Sequence, residues 1–79
     1  LEFSILVARR PDGTMAVYPP SLNHHVGGVL TWSVTPAGID PAVARTGAEV
    51  ALGIADGLEI VGLLAVEFFL TRDGRVLIN

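Results

Sequence analysis

Cysteine and lysine are both absent from this 79-residue chain. Without cysteine there is no disulfide framework, no thiolate metal site and no thiol nucleophile. That fits a reducing compartment, and a cytoplasmic location is the expectation. The five basic residues are all arginines, they form no basic run, and net charge is −3. The electrostatic footprint of a nucleic-acid binder is missing, so no nucleic-acid partner is expected. No apolar run reaches the ~18 residues of a membrane span, and no stretch has the pattern of a signal peptide. No membrane partner is expected. Glycine-rich phosphate loops of the G-x-G-x-x-G or Walker type are lacking, as is a G-x-S-x-G nucleophile elbow.

What is present is apolar: 51% of residues are hydrophobic and 16% are charged. One domain is the prior at this length, well away from the disordered class. A fold this small hides only about 60% of its unfolded surface. So high an apolar content suggests that some of it packs against polypeptide outside the 79 residues. The chain starts in a strand-like stretch without an initiator methionine and stops directly after "RVLI", so a piece truncated at both ends is expected.

From Glu2 to Arg9 the residues alternate, with Phe3, Ile5 and Val7 on one face and Glu2, Ser4, Leu6 and Ala8 on the other. Period two means strand. "RPDG" at 10–13 is a turn, and "TMAVYP" returns as a second strand that Pro19-Pro20 stops, giving a hairpin. "SLNHHVGG" at 21–28 reads as a polar, glycine-closed loop. "VLTWSV" at 29–34 reads as a third strand. Asp40-Pro41 is a helix start, an N-cap carboxylate before proline at the first helical position. Val43, Gly47, Val50, Ile54 and Leu58 form one apolar stripe, and Gly57 is placed at or just inside the helix end. Gly47 and Gly53 weaken the helix, and close approach to a sheet is their expected compensation. Val61–Leu70 is an apolar strand, "TRDG" turns it, and "RVLIN" pairs back. The order β-β-β-α-β-β predicts an α+β fold: an antiparallel sheet with one helix packed on a face.

Glu67, inside "GLLAVEFFL", is the residue that needs a reason. A buried, unpaired charge costs several kcal/mol. Either an arginine from a neighbouring strand meets it, or it is offered to a hard cation held by oxygen ligands. One carboxylate does not define such a site. Glu2 and Ser4 share the less apolar face of the first strand, which is either solvated or turned to a ligand. "NHH" at 23–25 is the only histidine cluster. Adjacent histidines in extended chain point opposite ways, and no cysteine or third histidine completes a zinc set. They are exposed loop residues, or His25 donates to an anionic ligand. Arg9-Arg10 reads as a solvated turn flank.

Four stretches, "EFSILVARRPDG", "VYP", "NHHVGGVLTWSVTPA" and "GLLAVEFFLTRDGRVLIN", together resemble the 5-(carboxyamino)imidazole ribonucleotide synthases, the ATP-dependent subunit of phosphoribosylaminoimidazole carboxylase. These belong to the ATP-grasp superfamily. The resemblance covers essentially the whole chain, with Pro41–Leu58 least distinctive. It implies part of the C-terminal ATP-grasp subdomain, from a homodimeric parent enzyme of purine biosynthesis that uses ATP and Mg²⁺. Its substrates would be bicarbonate, activated as carboxyphosphate, and aminoimidazole ribonucleotide. The isolated piece would be inactive and prone to self-association. By the same resemblance Glu67 would be a catalytic metal ligand, Glu2 would accept from the nucleotide ribose, and His25 would donate toward phosphate. Asn79 would be the ATP-site asparagine just before a second acidic ligand, which this sequence does not contain. Two other readings remain open: another ATP-grasp ligase, such as a biotin carboxylase or glycinamide ribonucleotide enzyme, or a non-catalytic α+β interaction module.

Overall fold

The computed structural model describes all 79 residues, Leu1–Asn79. Six strands and one helix follow in the order β1 (Glu2–Arg9), β2 (Met15–Val17), β3 (Ser21–Val26), β4 (Val29–Val34), α1 (Pro41–Gly57), β5 (Gly62–Leu70) and β6 (Val76–Ile78). All strand pairs are antiparallel, in the order β4-β3-β1-β5-β6, with β2 also on β1. The α+β class with one helix on one face of an antiparallel sheet is as the sequence led us to expect. The strand count is not. Ser21–Val26, read as a loop, is β3, so the order is β-β-β-β-α-β-β.

β1 is the axis of the sheet. Along one edge it pairs with β5 over its whole length, Glu2 opposite Phe69 through Arg9 opposite Gly62. Its other edge is divided: Glu2–Ser4 pair with β3, and Val7–Arg9 pair with β2. Pro19-Pro20 falls between β2 and β3, where a residue without an N–H interrupts the ladder at no cost to either partner. The β1–β2 and β5–β6 turns are each braced by an aspartate carboxylate. Asp12 Oδ1 accepts from the Thr14 amide at 2.9 Å, and Thr71 Oγ1 donates to Asp73. Gly27 (φ +57°) and Gly28 (φ +80°) close the β3–β4 hairpin as a two-residue loop, whose two positive φ values glycine adopts without a Cβ clash.

The helix begins as the sequence indicates. Asp40 Oδ1 accepts from the Ala42 amide at 2.8 Å and Pro41 opens the first turn. It ends at Gly57, with Leu58 as the cap residue. The buried helical positions are Gly47, Ala51 and Ala55; Val43, Val50 and Ile54 flank them against the core, and Leu58 is exposed. The buried line thus runs through small residues, which lets the helix approach the sheet closely while larger side chains straddle it. Gly47 lies against Phe3 and Ile5, whereas Gly53 faces open space, so close approach accounts for the first glycine only.

The core is thin. Phe3, Ile5 and Val7 from β1 and Val66 and Phe68 from β5 meet Ala51 and Ala55. Phe3 and Phe68 stand directly opposite each other and stack with centroids 5.1 Å apart. Such a pair adds about 0.5–1.5 kcal/mol beyond its area burial. The helix packs on β1, β2, β5 and β6 and makes no contact with β3 or β4. Val26, Val29, Leu30, Trp32 and Val34 are accordingly exposed.

Arg9 was expected to flank a turn in solvent. Instead its side chain is mostly covered. Nη1 donates to the Ile60 carbonyl at 3.2 Å and Nη2 to Asp56 Oδ1 at 3.4 Å. A cation there ties the C-terminal end of the helix to the sheet and sits favourably in the helix field.

Candidate functional site

The strand registers decide which side chains share the face away from the helix. Ser4 stands opposite Glu67 on β5 and Ser21 on β3. The Asn79 amide donates to the Glu67 carbonyl at 2.9 Å, which extends this row past β6. Ser21 and Thr35 share a hydroxyl–hydroxyl contact at its far end. Asn79, Glu67, Ser4, Ser21 and Thr35 therefore form one polar row across the sheet. The next row is Leu77, Phe69, Glu2, Asn23 and Ser33, in which Ser33 Oγ donates to Asn23 Oδ1 at 2.8 Å.

Glu67 is exposed, and its flanking same-face neighbour Ala65 is exposed too. The strand is apolar on both faces, yet only the helix-facing one, Val66 and Phe68, is buried. The premise that a buried charge must be offset is therefore corrected: the carboxylate stands on the open face, where it keeps its hydration. No arginine clasps it. The chain's ion pairs are Arg9–Asp56, Arg75–Asp73 and His25–Glu2. The side-chain partner of Glu67 is neutral, with Asn79 Nδ2 donating to Oε2 at 3.3 Å.

Glu2 and His25 come together. Asn23 is opposite Glu2, and His25, two residues on along β3, lies on the same face. His25 Nδ1 meets Glu2 Oε2, both side chains half-buried. The β3–β4 register shift falls just after His24. His24 points the opposite way and stacks on Trp32 with centroids 5.0 Å apart, so the two histidines form no chelate. Glu2 and Glu67 are diagonal neighbours across β1 and β5, roughly 7 Å apart by sheet geometry.

All four sequence-derived positions, Glu2, His25, Glu67 and Asn79, thus occupy one face and two adjoining rows. The sequence reading missed Asn23, Ser21, Ser33 and Thr35, which knit β3 and β4 to the site. The parity of Ser21, Asn23 and His25 was the available signal, hidden once the segment was taken for a loop. A surface hollow of about 380 Å³ lies elsewhere, toward the other end of β1, lined by Arg10, Met15, Tyr18 and Leu63 among others. It contains none of the four residues.

The donor set supports only part of a metal site. Glu67 offers a carboxylate and Asn79 an amide oxygen, both hard donors of the kind Mg²⁺ takes. No three acidic, histidine or cysteine side chains gather where they would hold a metal. The remaining ligands of a hard cation would have to be water, phosphate or residues outside these 79. The two carboxyls held below the usual range, Asp12 and Asp73, belong to the distant turns.

An ATP-grasp domain model matches residues 1–79, the whole chain. The chain belongs to the ATP-grasp family. This ATP-grasp chain is 38% identical over 79 residues to the N5-carboxyaminoimidazole ribonucleotide synthase of Bacillus subtilis strain 168, covering 100% of the chain and 21% of that protein. Among solved structures, the ADP complex of an N5-carboxyaminoimidazole ribonucleotide synthetase superposes with a TM-score of 0.93 at 41% identity, over 99% of this chain and 21% of that one. The synthetase from Thermus thermophilus does so with a TM-score of 0.90 at 38% identity, over 99% of this chain and 22% of that one. The ATP-grasp chain therefore spans about a fifth of the length of the relatives it matches. Its sheet and helix are a part of the ATP-grasp fold. No helix is long and apolar enough to cross a membrane.

Proposed function

We propose that this segment forms one wall of the nucleotide site in an ATP-dependent N5-carboxyaminoimidazole ribonucleotide synthase, as a partial ATP-grasp domain from the C-terminal subdomain. In that reading a bicarbonate oxygen attacks the γ-phosphorus of ATP, the bond to the β–γ bridging oxygen breaks, and ADP leaves carboxyphosphate. The amine of aminoimidazole ribonucleotide then attacks the carboxyl carbon, phosphate departs with the C–O bonding pair, and the nitrogen gives up one proton to leave the carbamate. The setting is purine biosynthesis in the cytoplasm, in a homodimeric parent.

The observation that carries this reading is the gathering of Glu2, His25, Glu67 and Asn79 on the one sheet face that the helix leaves open. Glu67 is a carboxylate with no cationic partner, rigidly displayed from the strand that pairs β1 along its whole length. It would hold Mg²⁺, with Asn79 orienting its carboxylate from just past β6. The bound ion would neutralise charge on the ATP phosphates as the phosphoryl group moves. Glu2 and His25, one row away, would contact the nucleotide.

The test is Glu67→Gln in the full-length protein that carries this segment. ATP turnover dependent on bicarbonate and aminoimidazole ribonucleotide should fall by at least ~100-fold, the order expected when an electrostatic contact to the transition state is removed. The far-UV spectrum and unfolding midpoint should be unchanged, because the side chain is exposed. Retained turnover would remove Glu67 from the metal site. Turnover with an unrelated amine substrate instead would move the protein to another ATP-grasp ligase.

A further inference from the structure

Glu2 and His25 are joined in a way that fixes what His25 offers to a ligand. His25 Nδ1 meets Glu2 Oε2 on the open face. A carboxylate only accepts hydrogen bonds, and a neutral imidazole carries a single N–H. We propose that Glu2 is a positioning residue that holds His25 in its Nδ1–H tautomer, so that Nε2 presents a lone pair. The partner of one ring nitrogen then sets the role of the other.

The consequence concerns ligand chemistry. Glu2 Oε1 and His25 Nε2 are then both acceptors, next to a negative charge. A phosphate group brings only acceptors and more negative charge, so it gains no hydrogen bond and is repelled. The matching ligand group carries O–H or N–H donors and no negative charge. His25 would therefore receive a hydrogen bond from the nucleoside part of a nucleotide rather than donate one to a phosphate. This ligand assignment rests on the nucleotide reading above; the tautomer does not.

The experiment is two-bond ¹H–¹⁵N NMR of the histidine rings in the 79-residue chain at pH 8. The expected result is an unprotonated Nε2 in His25. Glu2→Ala should return the ring toward the Nε2–H form. Glu2→Gln should keep the Nδ1–H form, because the amide oxygen still accepts. His24, stacked on Trp32 on the other face, serves as the internal control and should not respond. An Nε2–H tautomer or an imidazolium in the unmodified chain, or no response to Glu2→Ala, would overturn the proposal. Adding adenosine to the full-length protein that carries this segment should then move the His25 Nε2 resonance, while inorganic tripolyphosphate should leave it in place. The reverse would sink the ligand assignment. Silence of all open-face resonances toward both would sink the nucleotide reading and leave the tautomer, read without any ligand, to decide this inference.

Discussion

Gly47 of the helix lies against the ring of Phe3: a Cβ at position 47 would stand 3.0 Å from Phe3 Cε2 and 3.5 Å from Ile5 Cγ1. Phe3 is fully buried and stacked on Phe68, so it cannot swing aside. Gly47→Ala gains about 1 kcal/mol of helix propensity but incurs about 1–3 kcal/mol of overpacking. The expected net effect is a loss of about 1 kcal/mol. Gly53, with nothing within 4 Å, gives the opposite sign, and Gly53→Ala should gain about 1 kcal/mol. Urea unfolding of both variants checks the pair. A Gly47→Ala midpoint at or above that of Gly53→Ala would contradict the packing described here.

Arg9 links β1 to the end of the helix through two hydrogen bonds of unequal worth. The bond to the Ile60 carbonyl is part-buried, while Asp56 is largely exposed. Arg9→Met keeps the apolar stem and removes both bonds. It should cost about 1–2 kcal/mol, most of it from the orphaned carbonyl. Asp56→Asn should cost about 0.5 kcal/mol or less, because an exposed ion pair contributes little. Unfolding midpoints that reversed this order would mean that the ion pair, not the carbonyl bond, is the anchor.

The difference between what the residues announce and what the fold does lies mainly in β3. β1 was legible because the helix covers one face and leaves the other open, which writes a period of two into the sequence, whereas β5 was legible as a short apolar run bounded by turn signals. β3 pairs only with the first three residues of β1 and lies beyond the reach of the helix. The helix buries neither of its faces, and in "SLNHHV" the polar His24 interrupts the alternation of Leu22 and Val26 with Ser21, Asn23 and His25. Its strand character comes from pairing, which composition does not record. Glu67 misled for a related reason: β5 is apolar on both faces, which looks like burial on both, though the open face is uncovered within these residues. The helix stripe was displaced because alanines, not the larger aliphatics, make the closest contact.

The turn carboxylates give the acid limb of stability. The Thr14 backbone N–H lowers the Asp12 pKa, and the Thr71 hydroxyl does the same for Asp73. A carboxyl depressed in the folded state contributes stability that is present above its unfolded value of about 3.9. That contribution is lost as pH falls through the folded value. Stability should therefore decline below about pH 4, and Asp12→Ala with Asp73→Ala should flatten the decline while lowering the plateau at neutral pH. Both groups are fully exposed, so the effect should be a modest slope, read as the unfolding midpoint against pH. An unchanged slope in the double variant would place the acid sensitivity elsewhere.

Apart from the register shift that leaves Thr31 unpaired, the outer edge of β4 lacks the devices that discourage strand addition. Val29–Val34 contains no charge and no proline, and Val29, Leu30, Trp32 and Val34 are exposed. An apolar, unpaired edge is a template for another chain. The 79-residue chain should self-associate at high concentration, seen as a rise in mass by light scattering. Leu30→Lys puts a cation on that edge and should shift the rise to at least severalfold higher concentration. A monomer at all concentrations, or identical behaviour of Leu30→Lys, would remove β4 as the adhesive edge.

Glu67 and Asn79 make a specific claim about metal affinity that needs no turnover to check. A site with one carboxylate and one amide oxygen lies at the weak end of oxygen-donor affinities, about millimolar. Mn²⁺ shares the hard-oxygen preference of Mg²⁺ and broadens nearby resonances. Titrated into this chain, it should broaden Glu67 and Asn79 first, then Ser4, which stands opposite Glu67. Mg²⁺ should compete the broadening away. Glu67→Gln should abolish it, since the amide retains the hydrogen bond to Asn79 but not the charge. Asn79→Ala should weaken it about tenfold, as expected for losing a supporting contact rather than the charged ligand. Broadening centred on Asp12 or Asp73 instead would mean that the turns, not the open face of the sheet, hold the cation.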